Sequence, residues 1–237
     1  MDLISSPEAW MAFGTLTALE LVLGIDNVIF ISILVDKLPP QQREIARRIG
    51  LFMAMFMRIG LLLVLSWIIG LVKPMFAVLG HEVSGRDAIL ILGGLFLIWK
   101  STTEIHQSLD KEDPQESGSK HTLLSVVLQI MVIDVVFSLD SIITAVGMVD
   151  RIEIMVAAVV SSVSLMVLFA RAIGDFVSNH PTIKMLALSF LVLVGFVLIT
   201  EGFDHHIPKG YIYFAMAFSL CVEMLNIQVR KKSKSVV

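Results

Sequence analysis

In the apolar run LELVLGIDNVIF, residues 19–30, Glu20 and Asp26 stand six residues apart and Asn27 follows directly. The run IDVVFSLDSIIT, residues 133–144, repeats the arrangement with Asp134 and Asp140, followed by Ser141. These donors are all oxygen: carboxylates, an amide and a hydroxyl. Such a set suits hard divalent cations such as Mg²⁺, Ca²⁺ or Mn²⁺, whereas copper or zinc would draw on imidazole or thiolate. No His lies in a long apolar run, and the single cysteine, Cys221, excludes an internal disulfide and a thiolate cluster. The thirteen methionines are scattered and read as packing.

The acids sit in an expensive place. A charge at the centre of a membrane helix costs roughly 2.5–3.5 kcal/mol, so four facing lipid alone would cost about 10–14 kcal/mol. That rivals the roughly 5–15 kcal/mol that holds a whole domain folded. They must therefore converge on one another, on a water-filled cavity, or on Arg58 and Arg171, the two basic residues inside apolar runs. Both arginines read as charge-balancing counter-ions. Four ionised acids against two arginines leave two negative charges, the charge of one divalent cation. A spacing of six turns an ideal helix through about 600°, leaving the paired acids some 120° apart. Either the first acid of each pair points to a different neighbour, or the helix is broken near Gly24 and Ser138.

Elements that could position these groups follow from composition. Of 237 residues, 56% are hydrophobic and only 16% charged, with a mean hydropathy of +0.85. Soluble domains carry about 25% charged residues. The chain reads as one membrane domain of seven transmembrane helices, near 10–35, 49–72, 87–104, 122–148, 152–174, 184–201 and 210–229. Residues 106–121, HQSLDKEDPQESGSKH, form a polar, flexible linker between 1–105 and 122–208, and 209–237 add the last helix and a basic tail. The N-terminus lacks the basic region of a cleavable signal, so the first span is expected to direct insertion itself. Lys73, Arg86, Arg151 and Lys209 lie on one side of the spans and the other twelve basic residues on the opposite side. This bias places the linker and the C-terminus in the cytoplasm and the N-terminus outside.

Laying residue n against n+114 pairs Glu20 with Asp134, Gly24 with Ser138, Asp26 with Asp140 and Asn27 with Ser141. One residue out of register, Arg58 in FMRIG corresponds to Arg171 in FARAIG. The fold expected is all-α, with helices 1–3 repeated as helices 4–6 and a seventh appended. A three-span unit copied in tandem reverses its direction, so the halves are expected to be inverted repeats with a midplane site between them.

The stretches LELVLGIDNVIF, QIMVIDVVFSLDSIITAVG, RAIGDF and HPTIKMLALSFLVLVGF together resemble the TerC family of bacterial inner-membrane proteins, in its short YgdQ-like branch. The resemblance runs over nearly the whole chain. It implies a helical protein related to the LysE transporter superfamily, associated with manganese export and tellurite resistance. The family's intramembrane acidic motif carries over to Glu20, Asp26, Asn27, Asp134, Asp140 and Ser141. Larger relatives append cytoplasmic regulatory domains, whereas this sequence stops at VRKKSKSVV.

The expected activity is export of a divalent cation, Mn²⁺ preferred on the resemblance, by alternating access through a midplane carboxylate site. The cation is cargo, and no resident cofactor is expected. The alternative is a membrane assembly or metallation factor for exported proteins, without transport of its own. An intramembrane aspartyl protease is disfavoured because neither LGID nor FSLD supplies a GxGD motif, so no enzymatic activity is expected. The partners are a metal ion and the lipid bilayer, with no nucleic acid, and the composition is compatible with a homo-oligomer. Glu104, Glu201 and Glu223 lie at or near span ends and read as reaching interfacial water. The turn EGFDHHIP, residues 201–208, reads as a wetted loop, with release or capture of a metal by its adjacent histidines the less favoured alternative.

Overall fold

A computed structural model of the chain describes residues 6–64, 74–78, 81–109, 122–148 and 151–234. The side chains of residues 23, 26, 74–78, 81, 82, 139–141, 143–148, 209 and 231–234 lie outside that description. Most of the polar linker, residues 110–121, also lies outside it.

Among the described residues, seven helices make up the body of the molecule. They are α1 (Pro7–Val35), α2 (Pro40–Leu63), α3 (Gly85–Leu109), α4 (Leu123–Met148), α5 (Ile152–Asn179), α6 (Pro181–Glu201) and α7 (Lys209–Lys234). Proline marks three starts: Pro7, Pro40 and Pro181 occupy first-turn positions, where a missing N–H costs nothing. Ser6 caps α1 by accepting from the Ala9 amide at 3.3 Å. Ser84 and Asp87 cap α3 reciprocally. Asp87 Oδ2 accepts from the Ser84 amide and hydroxyl at 2.9 and 2.6 Å, and the Asp87 amide donates to Ser84 Oγ at 3.2 Å.

Five helices are long and apolar enough to cross a membrane: α1, α3, α5, α6 and most of α7. In α2 the first turns hold Arg43, Arg47 and Arg48, and α4 offers a shorter described apolar stretch, Leu123–Ser138. One element departs from the all-helical expectation. Strands β1 (Pro74–Val78) and β2 (His81–Ser84) form an antiparallel hairpin where a plain loop was expected, with Val78 opposite His81.

Three helix pairings dominate the packing: α3 with α6, α1 with α5, and α2 with α4. Their directions follow from contact register. Gly24 and Ser32 of α1 face Met166 and Gly174 of α5, so both numbers rise together and the helices run parallel. Gly50 faces Ile130 and Arg58 meets Asp134, so α2 and α4 also run parallel. Gly94 faces Ile199 while Gly195 faces Ile98 and Gly202 faces Ile91, so α3 and α6 run antiparallel. At their crossing the two backbones nearly touch. A Cβ added at Gly195 would lie 2.8 Å from the Gly94 carbonyl oxygen, closer than real side chains come. Small residues at helix crossings permit this approach between membrane helices.

The core is built on α1, whose Val28, Phe30, Ile33 and Leu34 are fully enclosed together with Leu97, Ile130 and Leu188. Both acid-bearing helices are continuous: α1 is unbroken through Gly24 and α4 through Ser138. The broken-helix alternative is therefore corrected. The first acids of the two pairs, Glu20 and Asp134, find their neighbour in Arg58, as described below.

Candidate intramembrane charge site

Arg58 is the hub of the described site. It projects from α2, and its side chain is only 4% exposed. Its Nη1 pairs with Glu20 Oε2 of α1, and its Nε and Nη2 donate to Asp134 Oδ1 of α4 at 3.2 and 3.1 Å. One guanidinium thus binds a carboxylate from each half of the chain. Planar geometry with five fixed donors lets arginine do this where lysine could not.

Asp134 is the more heavily bonded acid. Asn27 Nδ2 of α1 donates to its Oδ1 at 3.2 Å, and the Ser138 hydroxyl donates to its Oδ2 at 3.3 Å from the next turn of α4. Both oxygens are therefore engaged. The Asn27 carbonyl oxygen is buried and has no hydrogen-bond partner among the described residues. A buried acceptor left unpaired costs about 1–3 kcal/mol, so this oxygen is available to a ligand. Glu20 and Arg58 also line a narrow crevice walled by Leu16, Leu62, Ile142 and Met155.

Of the sequence-predicted residues, Glu20, Asn27, Asp134 and Arg58 come together. Asp26 lies on α1 and Asp140 and Ser141 on α4, but their side chains are outside the described residues. Among the described residues no three His, Cys, Asp or Glu side chains form a group that could hold a metal ion. Arg171 departs from its expected role. It stands on the outer face of α5, 75% exposed, 3.8 Å from Asp175, and balances none of the described intramembrane acids.

A second buried carboxylate corrects the expectation for Glu104. Instead of meeting interfacial water, it is almost fully enclosed, with Lys37 Nζ at 2.5 Å and Lys100 Nζ at 3.0 Å. Lys37 lies in the short α1–α2 connection and also donates to Gln107 Oε1 at 2.8 Å. Burial pulls its ammonium pKa below the ordinary lysine value, against the raising effect of Glu104. Next to it, Asp36 accepts from Ser178 Oγ of α5 at 2.5 Å. The i,i+4 spacing of Lys100 and Glu104 was a legible signal; the approach of Lys37 was not. Glu223 is half-buried: its Oε2 accepts from Asn226 at 3.2 Å, while its Oε1 is enclosed.

The arrangement is a buried, mixed-charge oxygen-rich centre in a helical membrane body, and the comparisons with known proteins agree with that class. The model described as "Integral membrane protein TerC family" matches residues 5–236. "UPF0053 inner membrane protein YgdQ" of Escherichia coli K12 is 56% identical over 230 residues, covering 97% of each chain. A "UPF0053 protein" of Haemophilus influenzae is 55% identical over 98% of each. "UPF0053 inner membrane protein YoaE" of Escherichia coli K12 is 47% identical over 98% of this chain but only 45% of its own length. No solved structure matches the chain. With a family match over nearly its full length, apolar helices long enough to span a bilayer, and relatives named for the inner membrane, the chain belongs to the TerC family of integral membrane proteins.

Proposed function

We propose that the protein exports a divalent metal cation, with Mn²⁺ preferred, by alternating access between two inverted three-helix repeats. The observation that carries this reading is the meeting of Glu20 and Asp134, one from each half, on the buried Arg58. Intramembrane ionisable groups mark ion pathways far more often than they serve as glue.

The helix directions support the inverted repeats. Exchanging α1 with α4, α2 with α5 and α3 with α6 turns the α1–α5 pairing into α4–α2 and returns the α3–α6 pairing to itself. The reciprocal contacts Gly94–Ile199 and Gly195–Ile98 are what a two-fold axis through that crossing would produce. An axis in the membrane plane, with the site near the midplane, is the organisation of many secondary transporters.

In this reading Glu20 and Asp134 hold Arg58 in place, and the cation falls to Asp26 and Asp140, the Asn27 carbonyl oxygen and the Ser141 hydroxyl. All are hard donors that Mn²⁺ accepts. Because Arg171 stands apart, four ionised acids against Arg58 alone leave three negative charges. One divalent cation leaves one negative charge, so these acids retain affinity for protons. Protonation of the cation's own carboxylates displaces it, and this competition is what would couple export to an inward proton flow. The basic-residue bias supports a cytoplasmic C-terminus.

Cellular manganese, counted by mass spectrometry beside magnesium and calcium, tests the proposal. Deleting the gene is expected to raise manganese alone, and Asp26→Asn or Asp140→Asn is expected to fail to restore it. Unchanged manganese on deletion contradicts export. The metallation-factor alternative predicts that purified protein in liposomes moves no metal at all.

A further inference from the structure

Glu201 ends α6 beside the hairpin end of the bundle, and it differs from every other buried acid described above. It is only 4% exposed, yet neither of its carboxylate oxygens has a hydrogen-bond partner. The field of Arg86, at the start of α3, reaches it without a hydrogen bond. A carboxylate removed from water with both oxygens unbonded is costly unless it takes up a proton or a cation completes it.

The chain supplies a second donor directly above. After Glu201 the backbone turns through Gly202, Phe203 and Asp204, the last at a φ of 61°, a left-handed conformation that aspartate tolerates better than most residues. The Asp204 amide donates to the Glu201 carbonyl at 3.1 Å and the His205 amide to that of Thr200 at 2.9 Å. This turn carries His206 back over the end of α6. His206 Nδ1 lies 3.8 Å from Glu201 Oε1, and its ring is 79% exposed. His205 is turned away, with its Nδ1 2.8 Å from the Phe203 carbonyl oxygen.

We infer that Glu201 and His206 form a second divalent-cation site at this end of the molecule, separate from the intramembrane centre. Adjacent ligand atoms on one octahedral ion bound at about 2.1 Å stand roughly 3 Å apart, so a small rotation of the exposed imidazole closes the site. Water fills the remaining positions, as ions with few protein ligands normally allow. The imidazole selects the chemistry. Manganese and later transition ions accept a nitrogen donor, whereas Mg²⁺ and Ca²⁺ keep to oxygen. The intramembrane centre has only oxygen donors and cannot make that distinction. With the orientation proposed above, this second site faces outward, where an exported ion leaves; that role, though not the binding itself, rests on the transport reading.

The nitrogen ligand makes the test specific. Purified protein without a polyhistidine tag, loaded with Mn²⁺, is examined by pulsed electron paramagnetic resonance for ¹⁴N modulation. Modulation is expected in the unaltered protein and in Asp26→Asn with Asp140→Asn. It is expected to vanish in His206→Ala, whose exposed ring carries no packing, and to vanish or weaken in Glu201→Gln. Absence of ¹⁴N modulation in the unaltered protein, or its persistence in His206→Ala, overturns the site. Failure of the export reading would look different, as intact modulation without Mn²⁺ flux.

Discussion

Arg58 and Arg171 occupy matching places in the two copies of one sequence pattern, yet their surroundings are opposite. Arg58 is enclosed and binds two acids, whereas Arg171 lies on an outer face of α5 with Asp175 alone. The acids align at n+114 and the arginines one residue short of it. That shift does not account for the difference, because Ala172, the position in exact register with Arg58, is exposed as well. This stretch of α5 turns its outer face where α2 turns its inner one. A duplicated motif can thus keep its composition and spacing while only one copy retains the cation. The result is a site in which both halves supply acid and one half supplies the counter-charge.

Arg58→Leu gives the largest expected effect. It strands Glu20 and Asp134 as uncompensated buried charges and is expected to destabilise the folded protein by about 3–5 kcal/mol, read from thermal unfolding in detergent. Asp134→Asn comes next, because that side chain engages Arg58, Asn27 and Ser138 together. A loss of about 1–3 kcal/mol is expected. Gly94→Val probes the close crossing of α3 and α6. Its Cβ would collide with the Gly195 carbonyl, and a loss of about 1–3 kcal/mol follows from overpacking. Arg171→Leu is expected to cost no stability, since it strands no buried acid and removes a charge from the outer face of a span. A loss from Arg171→Leu that equals the loss from Arg58→Leu would abolish the contrast and restore Arg171 as a counter-ion.

Much of this was legible in the residues themselves. Hydrophobic run length located the seven described helices, although α2 begins at Pro40, well before the run expected at 49–72, and residues 65–72 of that run lie outside the described residues. The cost of burying four acids required partners among the few buried cations, of which Arg58 is one. The carry-over of acid spacing between LELVLGIDNVIF and IDVVFSLDSIIT anticipated that the two halves would meet. What sequence could not settle was side-chain direction. Periodicity does not say which face of α5 is covered, so Arg171 and Arg58 looked alike. Glu104 and Glu201 also looked alike, as acids near span ends. Glu104 is neutralised by Lys37, a residue of a distant connection, and Glu201 is left without any hydrogen bond. Both outcomes depend on tertiary contacts that no local pattern encodes. The hairpin at residues 74–84 was missed because PMFAV and HEVS are too short and mixed to show clear alternation.

The central claim, that acids from both halves carry a divalent cation across the bilayer, is tested most directly by flux. Purified protein is placed in sealed liposomes holding a manganese-quenched dye, with Mn²⁺ added outside and a pH gradient imposed or withheld. The account predicts rapid quenching with the unaltered protein, faster with the gradient directed for exchange, and none with Asp26→Asn or Asp140→Asn. Quenching that survives both substitutions, or an unaltered protein that moves no Mn²⁺ under either condition, would contradict it.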